Sequence, residues 1–220
     1  MTVPTRQTGS VGTTGDPAGL EPVGGPLAER QLGLLLLVGG LVGFAAAFVL
    51  TVEKFWLLTN PFYTPSCTVN ARFSCGTVMT SPQAELFGFP NPLLGIAGFA
   101  ALAATGAALL AGGRLTGWYR AALQVGVTAG VIFVHWLIVQ SVFVIGALCP
   151  YCMVVWAVTI TAFCYLTLHN LTLHNLTAAA RRRPDPARSA VAALARNPGA
   201  VVAVWLSAVA ALVVVTTFLA

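Results

Sequence analysis

Five separate runs of about 20 apolar residues dominate this chain, and a run of that length is what a helix needs to cross a bilayer. They fall at roughly 32–52, 92–112, 121–145, 151–170 and 199–219 of 220 residues. Charged residues make up 8% of the chain and the mean hydropathy is +0.85, whereas soluble domains carry roughly 25% charge. The expected fold class is an all-α membrane protein: a four-helix transmembrane bundle plus a fifth, C-terminal transmembrane helix. The expected divisions are a disordered cytoplasmic tail at 1–29, a four-helix core at 30–170, a basic cytoplasmic linker at 171–198 and the fifth helix at 199–220. No room is left for a second folded domain.

The net charge of +5 could point to nucleic acid, but its placement argues for orientation signals instead. Basic residues beside spanning helices tend to stay cytoplasmic. Arg6 and Arg30 precede the first run, Arg114 and Arg120 lie between the second and third, and Arg181, Arg182, Arg183, Arg188 and Arg196 lie between the fourth and fifth. Only Lys54 and Arg72 lie between the first and second, and none between the third and fourth. This asymmetry puts the N-terminus in the cytoplasm and the C-terminus outside. No nucleic-acid partner is expected, and contact with anionic lipid head groups is secondary. Residues 1–29 are rich in Gly, Pro, Thr and Ser and bury too little to order themselves. That polar stretch is also too long for a cleaved signal peptide. The repeat LTLHNLTLHN at 166–175 has a period of five, which matches neither a helix nor a solenoid.

This topology places the cysteines. Cys67 and Cys75 lie in the outer loop 53–91, and Cys149 and Cys152 lie where the third run gives way to the fourth, on the same oxidising face. Cys164 lies about 18 Å deeper along the fourth helix and reads as a small buried apolar residue. In Cys149-Pro150-Tyr151-Cys152 the proline suits the first position of a helix, which sets Cys149 at the N-cap. Unpaired N–H groups and the helix dipole favour a thiolate there, a pair poised for thiol–disulfide exchange. Two other readings stay open at this point: a four-thiolate zinc site and a pair of inert structural disulfides.

Together these residues resemble the vitamin K epoxide reductase family, in particular its bacterial quinone-coupled disulfide-oxidase members. The resemblance covers roughly 32–170. It rests on the loop pair Cys67–x7–Cys75, on Ser81 six residues further on, on Asn91 four residues before Gly95, and on Cys149-Pro-Tyr-Cys152 opening the fourth helix. It implies a relay of four catalytic cysteines. A thioredoxin-like extracytoplasmic partner reduces Cys67–Cys75 at an exposed Cys67, Cys75 passes electrons to Cys149, and Cys152 reduces a membrane quinone of the menaquinone or ubiquinone class, with no metal required. Ser81, Asn91, Phe87, Trp156 and Gln140 are the candidate quinone contacts. Vertebrate members have Tyr where Trp156 stands. Some bacterial members continue from a fifth helix into a thioredoxin-like domain, so the partner is expected in trans. A vitamin K epoxide reductase proper would run the same relay, and a non-catalytic stapled or zinc-binding membrane module is the reading from another class.

Among the remaining polar residues, Ser81-Pro82-Gln83-Ala84-Glu85 has the form of a capped helix start, a short surface helix roofing the bundle. His135, near the middle of the third run, reads as a packed, hydrogen-bonded histidine. His169 and His174 do not share a helix face as a metal pair would and read as interfacial. Glu53 and Lys54 read as the outer boundary of the first helix.

Overall fold

The computed structural model describes residues 26–60, 62–179, 193, 194 and 196–219. Most of the expected tail and half of the expected linker lie outside them. Among the described residues, five helices are long and apolar enough to cross a membrane: Glu29–Thr59, Pro92–Leu110, Gly117–Ile145, Pro150–Leu173 and Pro198–Thr217. The protein is an all-α, multi-pass membrane protein. In chain order the elements are α1 (Pro26–Thr59), α2 (Cys75–Met79), a 3-10 turn (Pro82–Glu85), α3 (Pro92–Leu110), α4 (Gly117–Val139) with a π-helical end (Gln140–Ile145), α5 (Pro150–Ala179), and α6 (Pro198–Val214) with a π-helical end (Val215–Leu219).

Between helices in lipid there is little hydrophobic drive, so close backbone approach and polar contacts hold the bundle. α1 packs most extensively against α3 and also against α5, while α5 packs on α4 and α6. The α1–α3 seam is lined with glycine. A Cβ on Gly106 would run into the backbone of Leu37 and Gly33, and one on Gly40 would meet Ala103. Leu32, Leu36, Phe99, Leu102, Val127 and Leu166 fill the space between α1, α3, α4 and α5. Gln124 links α4 to α5, donating to Thr167 Oγ1 at 2.8 Å and accepting from Asn170 at 3.0 Å. Leu34, Leu41, Phe48, Ile132 and Val204 point outward and are exposed, as lipid-facing residues should be.

Two expectations need correction. The repeat at 166–175 is helical, because α5 continues through it to Ala179. A period of five carries no helical stripe, yet Leu, Thr, His and Asn are all tolerated inside a helix that neighbours already hold, as Asn170 shows. α1 likewise continues past Glu53 and Lys54 to Thr59. Both charges are buried, at 6% and 7% exposure, because the following loop folds back over them.

His135 is packed as expected. Its Nδ1 lies 2.7 Å from the Val131 carbonyl and its Nε2 accepts from the Trp205 indole N–H at 3.0 Å. With a carbonyl on one nitrogen and a donor on the other, the ring is a neutral Nδ1–H tautomer that ties α4 to α6. Cys164 is buried beside Val131, Ile160 and Val202, far from the other four cysteines in the fold.

Candidate functional site

The site forms where the outer loop meets the turn between α4 and α5. At the end of α4 the π-helical segment stops at Gly146, whose φ of +69° is a left-handed conformation that suits glycine. The chain then turns inward, and Ala147, Leu148 and Cys149 are almost fully buried. Leu148 pairs with Phe73 in a one-residue parallel bridge. Ser74 N–H donates to the Leu148 carbonyl at 3.0 Å, and Leu148 N–H donates to the Arg72 carbonyl at 2.7 Å. This bridge sets the residue after Ser74 beside the residue after Leu148, and those residues are Cys75 and Cys149.

Cys67 and Cys75 form a disulfide, and Cys149 and Cys152 are free thiols. Cys75 Sγ lies 3.1 Å from Cys149 Sγ. Cys149 immediately precedes Pro150, the first residue of α5, and its sulfur accepts from the Cys152 backbone N–H at 3.4 Å. That is the bond an N-cap side chain makes to the third residue of a helix. The Cys149 thiol is held below the usual thiol range. A hydrogen bond from the Cys152 side chain lowers it most, burial opposes this, the N–H groups of Cys152 and Tyr151 lower it further, and the Glu53 charge opposes. Leu50, Met79 and the three buried cysteines make one cluster, with Cys152 packed against it.

The sulfurs of Cys67, Cys75 and Cys149 lie within 4.8 Å of one another, close enough to share a metal ion. With Cys67 and Cys75 joined, however, neither offers the thiolate that zinc requires, and Cys152 is outside this group.

Cys152 opens onto an elongated cavity of about 450 Å³ between α1, α3, α4 and α5. Its walls are almost wholly apolar, and Lys54, Asn91, Cys152, Trp156, Thr159 and Tyr119 are the polar exceptions. On α4 the lining runs from Tyr119 to Leu137, a length of about 27 Å along a helix. Trp156 lies one turn after Cys152, on the same helix face. The residue is 4% exposed, and its indole N–H, which no described residue accepts, is not sealed from the cavity.

The sequence-derived contacts divide. Trp156 and Asn91 line the cavity, but the Asn91 amide is already engaged, donating to the Gln83 carbonyl at 2.7 Å and accepting from Leu86 N–H. Ser81, Phe87 and Gln140 do not line it. Ser81 does not cap the 3-10 turn with its side chain either, since its hydroxyl bonds back to the Val78 carbonyl at 2.7 Å. Phe87 packs at a tilt against Phe133, with ring centroids 5.7 Å apart, and Phe133 does line the cavity. The expected exposed Cys67 is in fact buried, at 7% against 0% for Cys75.

The cause is Glu53. Its carboxylate accepts from Tyr63 Oη at 2.9 Å and from both the backbone N–H and the hydroxyl of Ser66, pinning the loop that carries Cys67. The same contact raises the Tyr63 phenol above its ordinary value, chiefly through the hydrogen bond to Glu53. Next to it, Lys54 Nζ donates to the Met79 carbonyl at 2.7 Å and pairs with Glu85 at 2.8 Å. Sequence reasoning treated both charges as a helix boundary. The signal available was two adjacent ionisable residues followed by aromatic residues and more helix.

A family model described as the vitamin K epoxide reductase family matches residues 34–167. The chain belongs to the vitamin K epoxide reductase family. No match was found among individually curated protein sequences. Members of the family are membrane oxidoreductases working between disulfides and quinone-type substrates, and the matched span takes in both cysteine pairs and all of the cavity lining. Membership thus carries a membrane disulfide and quinone redox function. α6, with its His135–Trp205 tie, lies beyond the matched residues.

Proposed function

We propose that this chain is a quinone-dependent thiol oxidase that supports disulfide formation outside the cytoplasm. A thioredoxin-like partner, supplied in trans, gives two electrons to the Cys67–Cys75 disulfide. Cys75 then attacks Cys149 of an oxidised Cys149–Cys152 pair and releases Cys152. Cys67 attacks Cys75, re-forms the loop disulfide and releases Cys149. The helix pair finally returns to a disulfide as a quinone of the menaquinone or ubiquinone class becomes a quinol. In this reading the chain sits in the cell membrane with its N-terminus in the cytoplasm and the cysteine pairs outside.

The observation that carries the reading is the 3.1 Å contact between Cys75 and Cys149, next to a Cys152 that opens onto the cavity. With the loop pair joined and the helix pair reduced, the electrons stand on the pair beside that cavity. A depressed Cys149 thiol makes a good leaving group in the internal exchange. The long apolar cavity suits a substrate with a small polar ring and an isoprenoid tail, and Trp156 offers that ring a hydrogen-bond donor.

The test is purified full-length protein given a reduced thioredoxin-like protein and a short-chain quinone. Wild type should form quinol in proportion to the thiol consumed. Cys152→Ser should form none, and on a non-reducing gel it should show a Cys75–Cys149 link, because Cys149 displaces Cys67 and has no Cys152 to resolve it. Absence of quinol from wild type, or of that link from Cys152→Ser, would sink the relay.

A further inference from the structure

We propose that Lys54 is a catalytic residue of the quinone step: its ammonium hydrogen-bonds the quinone carbonyl oxygen on which negative charge collects as Cys149 and Cys152 give up their electrons. The proposal rests on the thiol-oxidase reading above and assigns a further residue to it.

Lys54 sits near the outer end of α1, one turn after Leu50, and both line the cavity with Cys152. It is buried, and among the described residues that line the cavity it is the only charged one. A charge inside a membrane protein is costly and tends to mark a functional pathway. The ammonium has three N–H donors, and the Met79 carbonyl and Glu85 take two. Most other polar groups of the lining are already engaged. The Asn91 amide is bonded on both sides to the loop, Thr159 Oγ1 donates to the Val155 carbonyl, and Tyr119 Oη is bonded to Thr105 at the far end. Fastening the 3-10 turn to α1 needs a hydrogen bond, not a cation set in an apolar wall. Met79, whose carbonyl fixes the ammonium, belongs to the cluster that holds Cys67, Cys75 and Cys149. The cation and the sulfurs are therefore positioned by one packed unit.

The step balances as follows. A bond forms between Cys149 Sγ and Cys152 Sγ, two electrons pass to the quinone, and the two thiol protons end on the two quinol oxygens. Lys54 enters and leaves as an ammonium. It supplies positive charge at one oxygen before the proton arrives, in a site of low dielectric where such a contact is far stronger than in water.

The experiment uses purified full-length protein with a reduced thioredoxin-like protein as electron donor and a series of short-chain benzoquinones, from methyl- and methoxy-substituted to halogenated. The halogenated quinols are more acidic and need less help at the oxygen. Lys54→Met should lower kcat by about 100-fold on the methyl-substituted quinones, with the loss shrinking steadily along the series, and Lys54→Arg should recover most of it. Lys54→Gln keeps a donor for the Met79 carbonyl without the charge, and reads the same trend if the Met variant does not fold. Reduction of the Cys67–Cys75 disulfide by the thioredoxin-like protein, a step without quinone, reports on the fold in each variant. An equal loss on every quinone would mean that Lys54 only shapes the site, and no loss would remove it from the reaction; either overturns the proposal while leaving the oxidase standing. A wild type that exchanges with the thioredoxin-like protein but reduces no quinone would bring down both readings together.

Discussion

In the proposed relay Cys149 acts as a leaving group toward Cys75 and as a nucleophile toward Cys152, and its surroundings suit both. Its thiol is held below the usual thiol range, first by the Cys152 hydrogen bond and then by N–H groups at the start of α5. A lowered value means the thiolate is already present at a pH where an ordinary thiol is still protonated, and it is lost only as pH falls through that lowered value. Quinone reduction by the pre-reduced protein should therefore rise with pH and level off below the usual thiol range. A rising limb centred where a free cysteine titrates would count against this role. The N-cap position of Cys149 was legible because Cys-Pro-x-Cys carries its own local instructions. Glu53 and Lys54 were not. On sequence alone a charge at the end of an apolar run marks the water boundary, and only the folded-back loop, with Tyr63, Ser66, Met79 and Glu85, turns that boundary into an interior.

At the scale of elements, the spanning helices were legible from length and hydropathy because lipid leaves the backbone so few options. The contacts between them were not. The α1–α3 seam depends on glycines that bring two backbones together, and nothing local says which glycine faces which helix. Gly106→Val should wedge against Leu37 and Gly33 and cost about 1–3 kcal/mol as an overpacked contact. Thermal unfolding in detergent should show this as a lower midpoint. A variant that melts with wild type would mean that the two helices do not approach as closely as described. The Phe73–Leu148 bridge was equally invisible, since a single paired residue leaves no periodic pattern. Yet it is this bridge that sets Cys75 against Cys149, across 74 positions of sequence.

For the whole molecule, the positive-inside asymmetry predicts one arrangement in the membrane, with the N-terminus in the cytoplasm. A reporter active only outside the cytoplasm should work when fused after Ala220 and stay silent when fused at Arg183. The reverse pattern would put the cysteines on the reducing side and remove the oxidase reading. The Glu53 clamp then bears on traffic across this outer face. Because the clamp keeps Cys67 under cover, a donor reaches the disulfide only after the loop lifts. If lifting costs about 2–3 kcal/mol, the order of a charged hydrogen bond, only a few per cent of molecules or fewer are open at any moment. A small thiol that touches the surface and leaves meets a closed door nearly every time. A protein that grips the loop can hold it open with its own binding energy, so in the proposed oxidase the clamp would act as insulation, directing oxidising power to cognate clients and away from the surrounding pool of small thiols.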